Sequence, residues 1–298
     1  MVWILFTSLA AFSQAWRNAL QSQLSRHASV AGVTLARFLF AGPIAAVYLG
    51  CLYHYREAPP LQPNALFLTY IFAAGTMQII ATGLMVVLFK QKNYAVGAGL
   101  AKSEAIIAAI LGMCFFGSSL SLLGWLGVLI GAIAVSLLSG FTFKPSNPQT
   151  FKQWDIKTAA LGLASGSAFA LTSLWVREAS LANGLPFPHS AAWTLLLVIA
   201  IQTMVLAIYL TWREPETWRC LQAYGTLTLA TSVASCIGSI GWFSAMSLQH
   251  VAYVKTLGQI EVFFMLLISS WWLKEPTKRQ HRMGLLLIAI AAVLVILT

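Results

Sequence analysis

Ala95-Val-Gly-Ala-Gly-Leu-Ala-Lys102-Ser-Glu104-Ala-Ile-Ile-Ala-Ala-Ile-Leu-Gly-Met-Cys-Phe-Phe-Gly117 decides how the rest of the chain is read. As a helix it is long enough to cross a hydrocarbon core of about 30 Å. Yet it carries Lys102 and Glu104 about a third of the way in, where each charge costs roughly 2.5–3.5 kcal/mol even on mild insertion scales. Something elsewhere in the chain must compensate for them. A shift of 157 positions repeats the arrangement: Ala95 falls on Ala252, Leu100 on Leu257 and Glu104 on Glu261, then Gly127 on Gly284, Ala132 on Ala289 and Ala134 on Ala291. Each half of the chain therefore holds one deep glutamate at the same place.

Composition sets the solvent. The 298 residues are 59% hydrophobic and 9% charged, with a mean hydropathy of +0.78, against about 45–50% apolar and 25% charged in soluble domains. Continuous apolar runs of about twenty residues, without the short alternating segments of a barrel, predict an all-α membrane protein. Ten transmembrane helices fit, at roughly 2–21, 31–53, 65–88, 94–116, 120–140, 157–177, 190–211, 222–247, 251–273 and 283–298. Residues 1–140 form the first five-helix repeat, 141–156 a polar linker and 157–298 the second repeat. The N-terminal stretch has no basic region or small-residue cleavage site, so it reads as a retained span.

The formal charge of +10 would suggest nucleic acid in a soluble protein; here it reports topology. Arg26, Lys90, Lys92, Lys144, Lys152, Lys157, Arg213, Arg219, Lys274, Lys278, Arg279 and Arg282 occupy the odd-numbered connectors, against Arg56 and Arg177 on the even side. That bias places the odd connectors and the linker in the cytoplasm and both termini outside. Equivalent loops carry opposite charge character: 117–121 is uncharged while Lys274 to Arg282 is strongly basic. Five spans is an odd number, so the second repeat enters upside down, the inverted construction of many secondary transporters, whose sites lie near the midplane.

Among eight acidic residues, Glu104 and Glu261 alone lie well inside a span. Intramembrane ionisable groups are functional by default, and a desolvated carboxylate is poised to exchange a proton or face a substrate charge. The structural alternative is an ion pair in which Lys102 or Lys255 neutralises a glutamate across the pseudo-twofold and locks the halves. Lys255 falls on Ala98 and Lys102 on Gln259 under the shift, four positions apart and so on one helical face. Two ammonium groups beside two carboxylates suggest a site for an anionic or zwitterionic solute, with Gln259 assisting. Gln14, Trp16, Arg37, Gln78, Trp175, Ser235, Ser239 and Trp242 are candidates for lining a cavity, as are the aromatic rings of Phe12, Phe169 and Tyr253. Arg17 and Arg177 read as interface anchors near span ends. The four cysteines and five histidines share no metal spacing, and no phosphate-binding loop, nucleophile elbow or zinc-protease motif is present. No metal or cofactor is expected.

The two five-helix units, Arg37-Phe-Leu-Phe-Ala-Gly-Pro in span 2, and the run from Gly258-Gln-Ile-Glu261 through Trp272-Leu-Lys-Glu275-Pro to Gly284 resemble the drug/metabolite transporter superfamily, in its EamA-like ten-helix branch. The resemblance implies a bacterial inner-membrane, multi-pass carrier of metabolites or toxic solutes that works by alternating access and is often proton-coupled. It implies termini in the cytoplasm, opposite to the charge count. The chain departs from the family where a proline usually stands near Lys102-Ser-Glu104, and where the first acidic turn is the uncharged Gly117-Ser-Ser-Leu. The expectation is a non-enzymatic transporter of a small polar metabolite, monomer or homodimer, with protons, lipids and the solute as partners. Its alternatives are a membrane-embedded enzyme or lipid-handling protein acting on a headgroup, and a passive channel.

Overall fold

The computed structural model describes residues 1–90, 101–138, 156–272 and 279–298. The expected linker lies outside the described residues except for Ile156, as do Lys92, Lys274 and Lys278. The described elements are α1 (Val2–Leu24), α2 (Val30–Ala36), α3 (Ala41–Tyr55), α4 (Ala65–Phe89), α5 (Glu104–Phe115), α6 (Leu122–Leu138), α7 (Ile156–Ala182), α8 (His189–Arg213), α9 (Glu216–Ala223), α10 (Gly225–Leu248), α11 (Val251–Leu257), a 3-10 turn at Gly258–Ile260, α12 (Glu261–Trp272) and α13 (Arg279–Ile296). No strand occurs among the described residues. Six of the described stretches are long and apolar enough to cross a membrane, namely 30–55, 65–89, 157–182, 189–213, 225–248 and 251–268, with shorter apolar helices at 104–115, 122–135 and 283–296.

Local chemistry sets the helix ends. The Ser29 hydroxyl accepts from the Gly32 N–H at 3.0 Å, and the Asn64 side chain accepts from the Phe67 N–H at 2.7 Å, each satisfying an orphan donor of a first turn. After α7 the chain turns at Gly184, whose φ of 70° suits a residue without Cβ. Large apolar side chains such as Leu5, Leu9, Leu66, Phe72, Met204 and Ile208 are exposed along the helices. In water they would be a liability; in lipid they need no cover.

The most extensive packing joins α4 to α7, α1 to α10, and α6 to α13. Adding 157 to residues 65–89 gives 222–246, on α10, and adding it to 2–24 gives 159–181, on α7. The shift thus carries the α4–α7 contact onto the α10–α1 contact, and α6 onto its own partner α13. All three contacts run between residues 1–138 and residues 156–298, so each half of the chain finds its main packing surface on the other. Small residues permit the approach. A Cβ on Gly241 would come within 2.6 Å of the Phe6 carbonyl, and one on Gly127 within 2.7 Å of Val295 Cγ2.

Four expectations need correction. The second span is interrupted: α2 ends at Ala36 and α3 begins only at Ala41, and Arg37 sits in that break. The ninth is interrupted by the 3-10 turn. The eighth starts at Gly225, preceded by the separate short helix α9, because Pro215 and the polar run after it favour a surface turn of helix. The sixth continues to Ala182, so Arg177 is no terminal anchor. Its guanidinium donates to the carbonyls of Met246 and Gln249, both at 2.7 Å, and ties α7 to the α10–α11 corner. At that corner the His250 imidazole is held below its ordinary range, first by burial and then by Arg177.

Gly241→Ala should lower the thermal midpoint of the purified protein, by about 1–3 kcal/mol of stability, because a methyl must push α1 off α10. Gly83→Ala, where nothing lies within 4 Å of the added Cβ, should be neutral or stabilising by roughly 0.5–1 kcal/mol. Equal midpoints for the two variants would contradict this packing.

Candidate functional site

Both deep glutamates stand where a membrane helix is broken and resumes. Lys102 and Ser103 form a turn and Glu104 opens α5; the 3-10 turn at Gly258–Ile260 precedes Glu261, which opens α12. A carboxylate in the first turn meets unsatisfied N–H groups and the positive end of the helix dipole. The breaks also free backbone groups, which a membrane protein tolerates only where protein or a cavity surrounds them.

The charges pair crosswise between the repeats. The Lys102 ammonium donates to Glu261 Oε2, and Lys255 Nζ lies 2.7 Å from Glu104 Oε1. Glu261, only 1% exposed, also accepts from Gln14 Nε2 at 2.5 Å and from Asn18 Nδ2 at 2.7 Å. Glu104 accepts in addition from the Ser173 hydroxyl at 3.3 Å. The Lys255 ammonium also sits 4.4 Å from the ring centroid of Trp242, whose indole N–H donates to Gln14 Oε1 at 2.9 Å. The structural alternative needed only one such pairing, and both are formed; the same side chains border open space.

That space is a cavity of about 40 Å³ walled by α1, α4, α7, α10, the turn before Glu104, Arg37 and Lys255, room for roughly three waters. Its lining includes Gln14, Arg17, Arg37, Gln78, Lys102, Glu104, Phe169, Ser239, Trp242 and Lys255. A smaller one of about 20 Å³ shares Gln14, Lys102, Glu104, Trp242 and Lys255 with it and reaches Gln259 and Glu261. The Gln259 side chain is 3% exposed, and neither its amide nitrogen nor its oxygen has a hydrogen-bond partner among the described residues. The Gln78 oxygen accepts from Gln202 Nε2 at 2.6 Å. Arg37 donates through Nε to Ser235 at 3.1 Å and through Nη1 to Thr82 at 2.7 Å.

Other expected positions lie elsewhere. Trp16 and Trp175 line neither cavity; Trp175 packs against the main core. Ser235 is buried behind Arg37 and does not reach the cavity. Phe12 is 46% exposed and packs edge-on against Phe264, while the Tyr253 hydroxyl accepts from the Ser121 N–H at 2.9 Å. Arg17 is corrected in the opposite direction: α1 continues to Leu24, so its guanidinium does not reach an interface but turns into the cavity. A signal for it was present. Gln14, Arg17 and Asn18 are spaced i, i+3, i+4 and share one face of α1. Thr172, Ser173, Phe243 and Met246 also line the cavity and carried no signal apart from ordinary helical packing.

Removing one partner of a buried pair strands the other charge, at a cost of about 3–5 kcal/mol. Glu261→Gln and Lys102→Gln should each lower the thermal midpoint strongly, and the double variant should recover most of the loss. Additive losses in the double variant would contradict direct pairing.

No curated protein matches the chain. In a comparison with solved structures, 27 chains match, among them one described only as a crystal structure of a protein, with a TM-score of 0.70, 15% identity, and coverage of 99% of this chain and 96% of that one. At that identity the likeness establishes the fold alone. Residues 1–140 match the EamA-like transporter family, a likeness consistent with the drug/metabolite transporter superfamily, and six described helices are long and apolar enough to cross a membrane.

Proposed function

We propose that the chain is a proton-coupled secondary transporter of the inner membrane. In this reading ten helices in two inverted five-helix units move a small anionic or zwitterionic solute by alternating access. One observation carries it: two lysine–glutamate pairs, each joining the first half of the chain to the second, border the smaller cavity, which is continuous in its lining with the larger one through Gln14, Lys102, Glu104, Trp242 and Lys255. A pair used only as a lock would be better sealed than exposed to a polar hollow with unsatisfied groups on its wall.

The chemistry follows from competition for the ammonium groups. An anionic group entering the cavity can replace Glu261 on Lys102. The released carboxylate, 1% exposed, loses its bonded ammonium, and burial makes the bare ion costlier to hold. It takes up a proton from the side to which the cavity is open. Gln14 and Asn18 keep the protonated side chain in place through their amides. Loss of the ionic tie between repeats frees one to rock against the other. On the far side the proton leaves, the pair forms again and the solute is displaced. Glu104, Lys255 and Ser173 supply an equivalent exchange on the other arm.

Reconstituted in liposomes with a pH gradient, the protein should drive solute uptake that collapses with a protonophore. Glu261→Gln should reduce it to the level of empty liposomes, while downhill exchange of solute for solute survives. Full gradient-driven uptake in both Glu261→Gln and Glu104→Gln would overturn the assignment; product formation from a lipid headgroup without any gradient would favour an enzyme instead.

A further inference from the structure

Four cations and two carboxylates meet around these cavities, and the surplus has a definite location. Lys102 and Lys255 are matched by Glu261 and Glu104, whereas neither Arg17 nor Arg37 makes an ion pair among the described residues. Both arginines line the larger cavity at 6% and 3% exposure. Arg37 is held by two hydroxyls, Ser235 and Thr82, which orient the guanidinium without cancelling its charge. Arg17 donates through Nη2 to the Asn18 side-chain oxygen at 2.9 Å, and its Nε is buried with no hydrogen-bond partner. Two uncancelled charges in an apolar bundle are costly to hold, and a protein keeps them where a ligand supplies the counter-charge.

We infer that Arg17 and Arg37 form an anion subsite for a small solute carrying two negative charges, a dicarboxylate or a phosphate monoester. Guanidinium groups bind both oxyanions through paired N–H donors. Two negative charges balance the two unmatched cations and leave the lysine–glutamate pairs intact until the solute moves deeper. Phe169, Trp242, Phe243 and Met246 on the same wall favour a carbon skeleton over a fully hydrated inorganic ion. Because both carboxylates of the described lining are already paired with lysines and none is left to meet an ammonium group, zwitterions are the poorer fit. The inference rests on the transport reading for its biological meaning, but the subsite can be tested without transport.

The thermal midpoint of the purified full-length protein is titrated with malonate, succinate, glutarate and glycerol 3-phosphate, alongside the monoamides of the three diacids and glycine betaine. At least one dianion should stabilise at about a tenfold lower concentration than its singly charged or zwitterionic comparators. The dicarboxylate and phosphate arms show which oxyanion is preferred. Arg17→Gln should abolish the preference and, by removing an uncancelled buried charge, leave the ligand-free protein folded with a midpoint at or above that of the unaltered protein; Arg37→Lys, which keeps the charge but loses the fork, should weaken the preference. No preference for any dianion, or a preference that survives Arg17→Gln, overturns the subsite. Uptake of glycine betaine driven by a pH gradient without dianion preference would leave the carrier standing and sink this inference. Dianion preference without flux of any solute would do the reverse.

Discussion

Charge in a low-dielectric interior must be answered by charge, and here each answer comes from the opposite repeat. Lys102 reaches Glu261 and Lys255 reaches Glu104. A charge buried without a partner is costly, and each pair spares both of its members that cost. The crosswise pairing therefore makes the two repeats depend on each other chemically, as the α4–α7, α1–α10 and α6–α13 contacts make them depend on each other sterically. An interaction with these properties suits a moving part. It is strong when made, and its cost when unmade can be offset by a proton on one side and a solute anion on the other.

Backbone geometry supports the same exchange. Three interruptions, at Arg37 between α2 and α3, at Lys102-Ser103 before α5, and at Gly258–Ile260 before α12, bring charged or amide side chains to the cavities from elements that would otherwise present uniform apolar faces. Breaking a helix in lipid frees donors and acceptors that water cannot reach, so the breaks lie inside the bundle. The two that precede Glu104 and Glu261 set a helix N-terminus beside the carboxylate that opens it, where the dipole favours the negative charge. Gly258 shows how tightly this is fitted: a Cβ there would run into the Trp242 ring, the same ring that faces the Lys255 ammonium.

Much of this was readable in the residues. Burial cost singled out Glu104, Glu261 and Lys102 without any structure, because few explanations exist for a charge in the middle of an apolar run. The shift of 157 positions foretold which residues would occupy equivalent places. What escaped reading was direction. Arg17 looked like an anchor because its span was ended too soon at 21, and three further residues of helix place it in the interior. Arg177 was misread for the same reason. Trp16 and Trp175 have the composition of lining residues, but a helix has a full circle of directions and sequence alone does not choose among them. The break in span 2 has a readable cause in Pro43, which has no N–H to give the Leu39 carbonyl four residues back and crowds it with its ring; the break in span 9 holds no proline, only Gly258, and follows from the packing and polar partners of the assembled bundle.

The proposed exchange is tested most directly by the protonation state of the glutamates themselves. Infrared difference spectra of the reconstituted protein, with and without a stabilising solute, separate the carboxylate stretch from that of the protonated acid, and Glu261→Gln assigns the band. Ionised carboxylates in the ligand-free state at neutral pH, with a protonated-acid band that grows on solute binding and is lost in Glu261→Gln, are the predicted result. Glutamates that remain ionised throughout, bound to their lysines while solute is bound and moved, would contradict it.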